Sequence, residues 1–221
     1  MKTLIRPALT LFVLFTLLTG IAYPLAITAV AQLAFTAKAN GSVLIRNEKP
    51  VGSSLIGQEF ASGPCAPLYF WSRPSATSPV PYTSFNADKL TGSSGSNLAP
   101  TNPALIGNVK ARIEALNAAD RAVGYQRLSH PTSDIPHPTS GIPVDLVTSS
   151  ASGLDPHISP AAAEYQLPRV AKARHLSESQ LRELVQAHTQ SRQFGLFGEP
   201  VINVLELNLD LDSRFPPRVT E

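Results

Sequence analysis

The chain has 221 residues, the length of one domain with an appendage, and carries 18 Lys+Arg against 16 Asp+Glu for a formal charge of +2. Only 15% of residues are charged, with no basic cluster, which excludes the dense cationic face of a nucleic-acid binder. An apolar content of 43% excludes a wholly disordered chain, while 20 prolines describe a loop-rich body rather than a helical bundle.

No charged residue stands between Pro7 and Ala37. Residues 8–35 therefore read as one membrane-spanning helix, about 42 Å long at ~1.5 Å per residue against a ~30 Å hydrocarbon core. Pro24 removes a backbone donor and predicts a kink. The competing reading is a cleaved leader ending at Ala29-Val30-Ala31, but the apolar run exceeds the ~7–15 residues of such leaders. Lys2 and Arg6 favour an inside N-terminus, yet Lys38, Arg46 and Lys49 follow the span, so counting alone does not orient it. The preferred arrangement is residues 1–7 in the cytoplasm, 8–35 in the bilayer and 36–221 outside. Thr16 and Gly20, and Ala22 and Ala26, form small-residue pairs four apart that permit close approach of a second membrane helix.

Ser42–Arg46 and Val51–Ile56 read as a hairpin around Asn47-Glu48-Lys49-Pro50. Residues 57–103 are dominated by Gly, Pro, Ser and Asn, an irregular stretch long enough to be functional. Asn102 and Pro103 then open a helix with Leu105, Ile106, Val109, Ile113 and Leu116 on one face. Ser129–Pro143 reads as a loop and Val144–Thr148 as a strand. Ser159-Pro160 starts a helix towards Arg174, with Pro168 inside it. Ser177 and Gln180 form a capping box ahead of Leu181, Leu184, Val185 and His188. Leu205, Leu207, Leu209 and Leu211 alternate with polar residues, which predicts a half-buried strand. The expected fold is a small α/β (α+β) domain, a small sheet with flanking helices, on a single membrane stalk.

Chemistry-bearing patterns are weak. Cys65 is alone, so no intrachain disulfide or multi-cysteine site exists. Gly92–Asn97 lacks the Lys and Ser/Thr of a phosphate loop. Asp88-Lys89-Leu90-Thr91-Gly92 resembles the phosphorylated aspartate motif of P-type ATPases, but Leu90 breaks its register. His130 and His137, with Asp134 between, and His157 lack zinc-ligand spacing. A serine hydrolase using Ser75, Ser149 or Ser152 has no G-x-S-x-G elbow behind it. Gln58, Arg73, Asn97, Asp155, Gln166 and Arg169 are the polar residues of the most distinctive segments. Capping of local turns accounts for them.

Seven segments in order carry a resemblance: Gly52–Gln58, Arg73–Ala76, Gly95–Ala99, Val144–Ser149, Ala151–Ile158, Gln166–Arg174 and Gly198–Asn208. With Arg6-Pro7-Ala8 and Tyr23-Pro24 in the stalk, the whole chain closely resembles the KdpC family, the C subunits of the Kdp potassium-transporting P-type ATPase. Ser94 and His175 depart from the family pattern, where Gly, and Gly or Asn, are usual. The resemblance implies a non-catalytic accessory subunit of an ATP-driven potassium importer. It implies a single-pass subunit of the bacterial inner membrane with its domain outside. The implied partners are a channel-like potassium-binding subunit, a P-type ATPase subunit and a small membrane subunit. It further implies a catalytic-chaperone role that raises ATP affinity, with Gln166 as a nucleotide contact. Gln58, Arg73, Asn97, Asp155 and Arg169 are then candidate docking residues. A membrane-anchored hydrolase or binding protein is the alternative.

Overall fold

A computed structural model describes residues 2–126 and 141–217. The chain divides into two compact units, 1–53 and 54–221.

In the first unit, α1 (Lys2–Leu17) and α2 (Tyr23–Ala34) are joined by one wide helical turn, Leu18–Ala22, in which the Tyr23 N–H reaches back five residues to Leu18 O. The widening answers Pro24, which has no N–H and whose ring crowds the carbonyl four residues earlier. The helical stretch Leu4–Ala34 contains an 18-residue window of mean hydropathy 2.0, none of it buried. Its Thr10, Thr16 and Thr19 hydroxyls donate to carbonyls one turn back, so each is satisfied within the helix itself. A short helix, α3 (Thr36–Ala39), follows. Strands β1 (Val43–Arg46) and β2 (Lys49–Ser53) pair antiparallel. Asn47 and Glu48 between them both have positive φ, 50° and 63°, as a twist-matched two-residue turn demands. The hairpin is as expected, except that its second strand is Lys49–Ser53 rather than 51–56.

In the second unit a tiny hairpin, β3 (Phe85–Asn86) with β4 (Thr91–Gly92), interrupts the long irregular stretch. Helix α4 (Pro103–Ala122) starts as expected, with the Asn102 side chain accepting from the Ala104 N–H at 2.9 Å. Strand β5 (His157–Ile158) leads into α5 (Pro160–Arg174), capped by Ser159, and α6 (Glu178–Ala187) carries the full Ser177/Gln180 capping box. His175 ends α5 at φ 56°, a left-handed position that explains why Gly or Asn would be usual there. Strands β6 (Thr189–Gln190) and β7 (Val201–Asn203) complete an antiparallel sheet of order β5-β7-β6.

Two expected strands are helical. Residues Val204–Arg214 form α7, with the Asn203 side chain accepting from the Glu206 N–H at its start. Val144–Leu146 is a single 3-10 turn after Pro143, not a strand. The part of the expected Ser129–Pro143 loop at 129–140 lies outside the described residues. The core gathers Phe70, Trp71, Leu116, Leu146, Leu167, Leu181, Ile202 and Leu207 from four helices, the Val144–Leu146 turn, the sheet and one irregular segment.

Candidate functional site

That segment, 66–74, is a 3-10 turn (Ala66–Leu68) followed by irregular chain with no neighbouring strand, so its carbonyls need partners from elsewhere. Side chains supply nearly all of them. Ala66 O accepts from Trp71 Nε1 at 2.7 Å and from Arg169 Nη1 at 3.2 Å. Pro67 O and Tyr69 O also accept from Arg169 Nη1, at 2.9 and 3.2 Å, while Leu68 O accepts from Arg174 Nε at 2.8 Å. The Asn208 amide pairs with Phe70 on both sides, taking its N–H at 3.0 Å and giving to its O at 2.9 Å. The Gln166 amide does the same for Trp71, at 2.7 and 3.1 Å. Ser72 O takes Arg112 Nη2 at 3.1 Å, Arg73 O takes the Tyr82 hydroxyl, and Pro74 O takes the Ser150 N–H at 3.2 Å. Two side-chain amides and three guanidinium groups thus replace the missing strand.

Helix α5 places Gln166 and Arg169 one turn apart, and both are buried. Gln166 is 0% exposed. Its oxygen also accepts from Arg169 Nη2 at 2.8 Å, and its nitrogen also donates to Ala162 O at 3.3 Å. Both acceptor sites and both donors are therefore used inside the fold. Arg169 lies 3.6 Å from Asp120 and 4.8 Å from the centre of the Trp71 ring. Arg112 sits 5.0 Å from the same ring, and burial draws its pKa below the usual arginine value. Arg174 pairs with Asp212 at 2.7 Å over the Tyr69 ring. Burial, with Asp212 next in weight, raises the Tyr69 phenol.

Around the end of this strap the distinctive loops interlock. Arg73 lies 3.3 Å from Asp155 and donates to Ser149 O at 3.3 Å. Burial works to raise the Asp155 carboxyl. The hydrogen bonds from the His157 side chain and backbone, with Arg73 beside it, outweigh burial and hold the carboxyl below its ordinary range. Ser75 Oγ donates to Gly153 O at 2.7 Å and accepts from the Tyr82 N–H at 2.9 Å. Burial pushes the Tyr82 phenol up to about 12. Gly153, at φ 67°, has no room for a side chain: a Cβ would stand 2.5 Å from Thr77 Cγ2 and 2.7 Å from Ser94 O. Gly57 and Gly95 are packed as tightly, against Asp155 O and Ala151 O. An open cleft of about 510 Å³ lies beside Arg73, Ser150, Leu154 and Asp155.

The structure thus joins Arg73 to Asp155, both half-buried, and Gln166 to Arg169 in the interior. Asn97 is exposed at φ 51°, a left-handed position Asn tolerates well, and Gln58 is half-buried. Sequence reasoning missed Asn208, Arg112, Arg174 and Tyr82. Ser75, Ser149 and Ser152 bond to Gly153 O, Ser96 Oγ and the Leu154 N–H, so each hydroxyl has a partner that is not a histidine. His130, Asp134 and His137 lie outside the described residues. Among the described residues no three His, Cys, Asp or Glu gather as a metal site.

The chain is thus a span-length apolar helix and a small α+β domain whose buried polar groups hold its own backbone. The chain belongs to the KdpC family: the model described as "K+-transporting ATPase, c chain" matches residues 5–213. It is 54% identical to the potassium-transporting ATPase KdpC subunit of Dechloromonas aromatica (strain RCB), covering 96% of this chain and 98% of that one. It is 52% identical to the subunit of the same name from Polaromonas naphthalenivorans (strain CJ2), covering 98% and 97%.

Proposed function

We propose that this chain is the non-catalytic C subunit of an ATP-driven potassium import complex. What carries the reading is the family match over nearly the whole length, with relatives of that name above 50% identity. In this reading the helix within 4–34 anchors the chain in the bacterial inner membrane with its N-terminus in the cytoplasm and its domain outside. Its partners are a channel-like potassium-binding subunit, a P-type ATPase subunit and a small membrane subunit. Potassium is the cargo of the complex and ATP the fuel of its ATPase subunit.

Docking in this proposal falls to the loop surface with exposed Asn97 and half-buried Gln58, Arg73 and Asp155, while Arg169 acts from inside by holding segment 66–74. The same assignment is proposed for Gln166. Its enclosed, fully bonded amide supports a positioning role rather than a nucleotide contact. A domain outside the membrane does not reach cytoplasmic ATP, so any rise in ATP affinity is coupling between two states of the complex.

Cys65 provides the test, because it is the chain's single cysteine and is exposed. In cells producing the whole complex, a membrane-impermeant maleimide should label Cys65 without lysis, and the tagged chain should bring down an ATPase subunit. Labelling only after lysis reverses the topology, and purification of the chain alone removes the subunit assignment.

A further inference from the structure

Strands β6 and β7 pair through Thr189↔Ile202 and Gln190↔Val201, and residues 191–200 connect them. The connection is internally bridged. The Gln193 N–H donates to Phe197 O at 2.8 Å, the Phe197 N–H returns to Gln193 O at 2.9 Å, and the Gly195 N–H closes on Arg192 O at 2.9 Å. Across the base, Arg192 Nη2 lies 2.6 Å from Glu199 Oε2. The turn holds Phe194 at φ 55°, a conformation uncommon for a bulky residue, next to Gly195 at 73°. On this frame Phe194, Leu196 and Phe197 are 88%, 70% and 61% exposed. Clustered exposed apolar side chains of this size mark an interaction surface.

Lipid and an apolar protein pocket both suit such a tip, and charge distinguishes them. Arg192 and Glu199 are the only charged residues in 191–200, and they pair with each other. The loop therefore has no net charge and offers no free cation to anionic headgroups, on which surface-bound membrane segments rely. A neutral rim around an apolar tip is complementary to an uncharged, apolar recess. The bridged frame also lowers the ordering cost of entering a fixed recess.

We propose that the Phe194–Phe197 loop is a docking knob that seats in an uncharged apolar pocket on another subunit of the transport complex. This rests on the subunit reading above and adds a contacting element separate from the Arg73–Asp155 loops.

The test uses the full chain co-produced with the other subunits in membranes, with a photoreactive phenylalanine analogue at Phe197. The expected result is an adduct with the mass of this chain plus one partner subunit; lipid adducts alone, or none, overturn the knob. A Phe194→Ser/Phe197→Ser variant should leave the complex at least about tenfold faster, as loss of central aromatic anchors does, and Phe194→Leu/Phe197→Leu should recover most of that. Unchanged Trp71 emission checks that the domain remains folded. If the wild-type chain fails to co-purify, the subunit reading fails and the knob with it. If it co-purifies and the Ser variant dissociates at the wild-type rate, only the knob fails.

Discussion

Replacing Gln166 with methionine keeps the volume of the side chain and removes its amide. Trp71 then loses the partners of both its N–H and its O in the interior, and Arg169 loses one acceptor. An orphaned buried polar group costs about 1–3 kcal/mol, so two backbone groups make a gross loss of about 2–6 kcal/mol. The apolar gain of the thioether offsets part of it, leaving about 3 kcal/mol, a large share of the ~5–15 kcal/mol that holds an ordinary domain together. Trp71 is the only tryptophan and is 2% exposed, so its fluorescence reports this domain alone when the full chain is unfolded by urea in detergent. With a denaturant slope of about 1–3 kcal/mol/M, the midpoint should fall by about 1–3 M for Gln166→Met. A midpoint within about 0.2 M of wild type, with unchanged emission, refutes the claim that this amide stands in for a strand.

Arg169→Met should cost more, about 3–5 kcal/mol in the same assay, because it removes the guanidinium beside buried Asp120 together with three carbonyl contacts. Gly153→Ala should destabilise by at least about 1 kcal/mol, since it adds a left-handed penalty to contacts that cannot relax without moving Ser94 backbone; hydrogen exchange should rise first at 75–82 and 150–155. Asp155 has a folded pKa held below its ordinary value, so its contribution is complete above the unfolded carboxylate value and is lost as pH falls through the folded one. Urea midpoints of the wild type should therefore decline below about pH 4 more steeply than those of Asp155→Asn, by under about 1 kcal/mol for a partly exposed pair; parallel curves contradict the assignment.

Helix starts were readable because caps are local: Asn102-Pro103, Ser159-Pro160 and Ser177 with Gln180 each open a helix where expected. Helix α7 was misread because its leucines alternate. Val204, Leu207, Asn208 and Leu211 are all buried and follow the spacing of a helix face, but Asn208 is polar and broke the pattern. Its burial follows from the backbone it serves, Phe70, 138 residues away in sequence. The same distance hid the strap: Arg169 and Arg174 satisfy carbonyls 100 or more residues earlier, which no window reveals. Val144–Thr148 looked like a strand by its β-branched residues. Pro143 instead leads into a 3-10 turn, and the Asp145 side chain accepts from the Ser159 N–H at 2.8 Å. Arg73 and Asp155 were recognisable as special from their segments, though their contact was not, since it depends on two loops closing on each other.

The most direct measurement is potassium-stimulated ATP hydrolysis by the reconstituted membrane complex prepared with and without this chain. Hydrolysis should be weak or unstable without it and restored when the wild-type chain is supplied during assembly. Equal potassium-stimulated rates in both preparations, or ATP hydrolysis by the purified chain alone, contradict the assignment of an accessory, non-catalytic subunit.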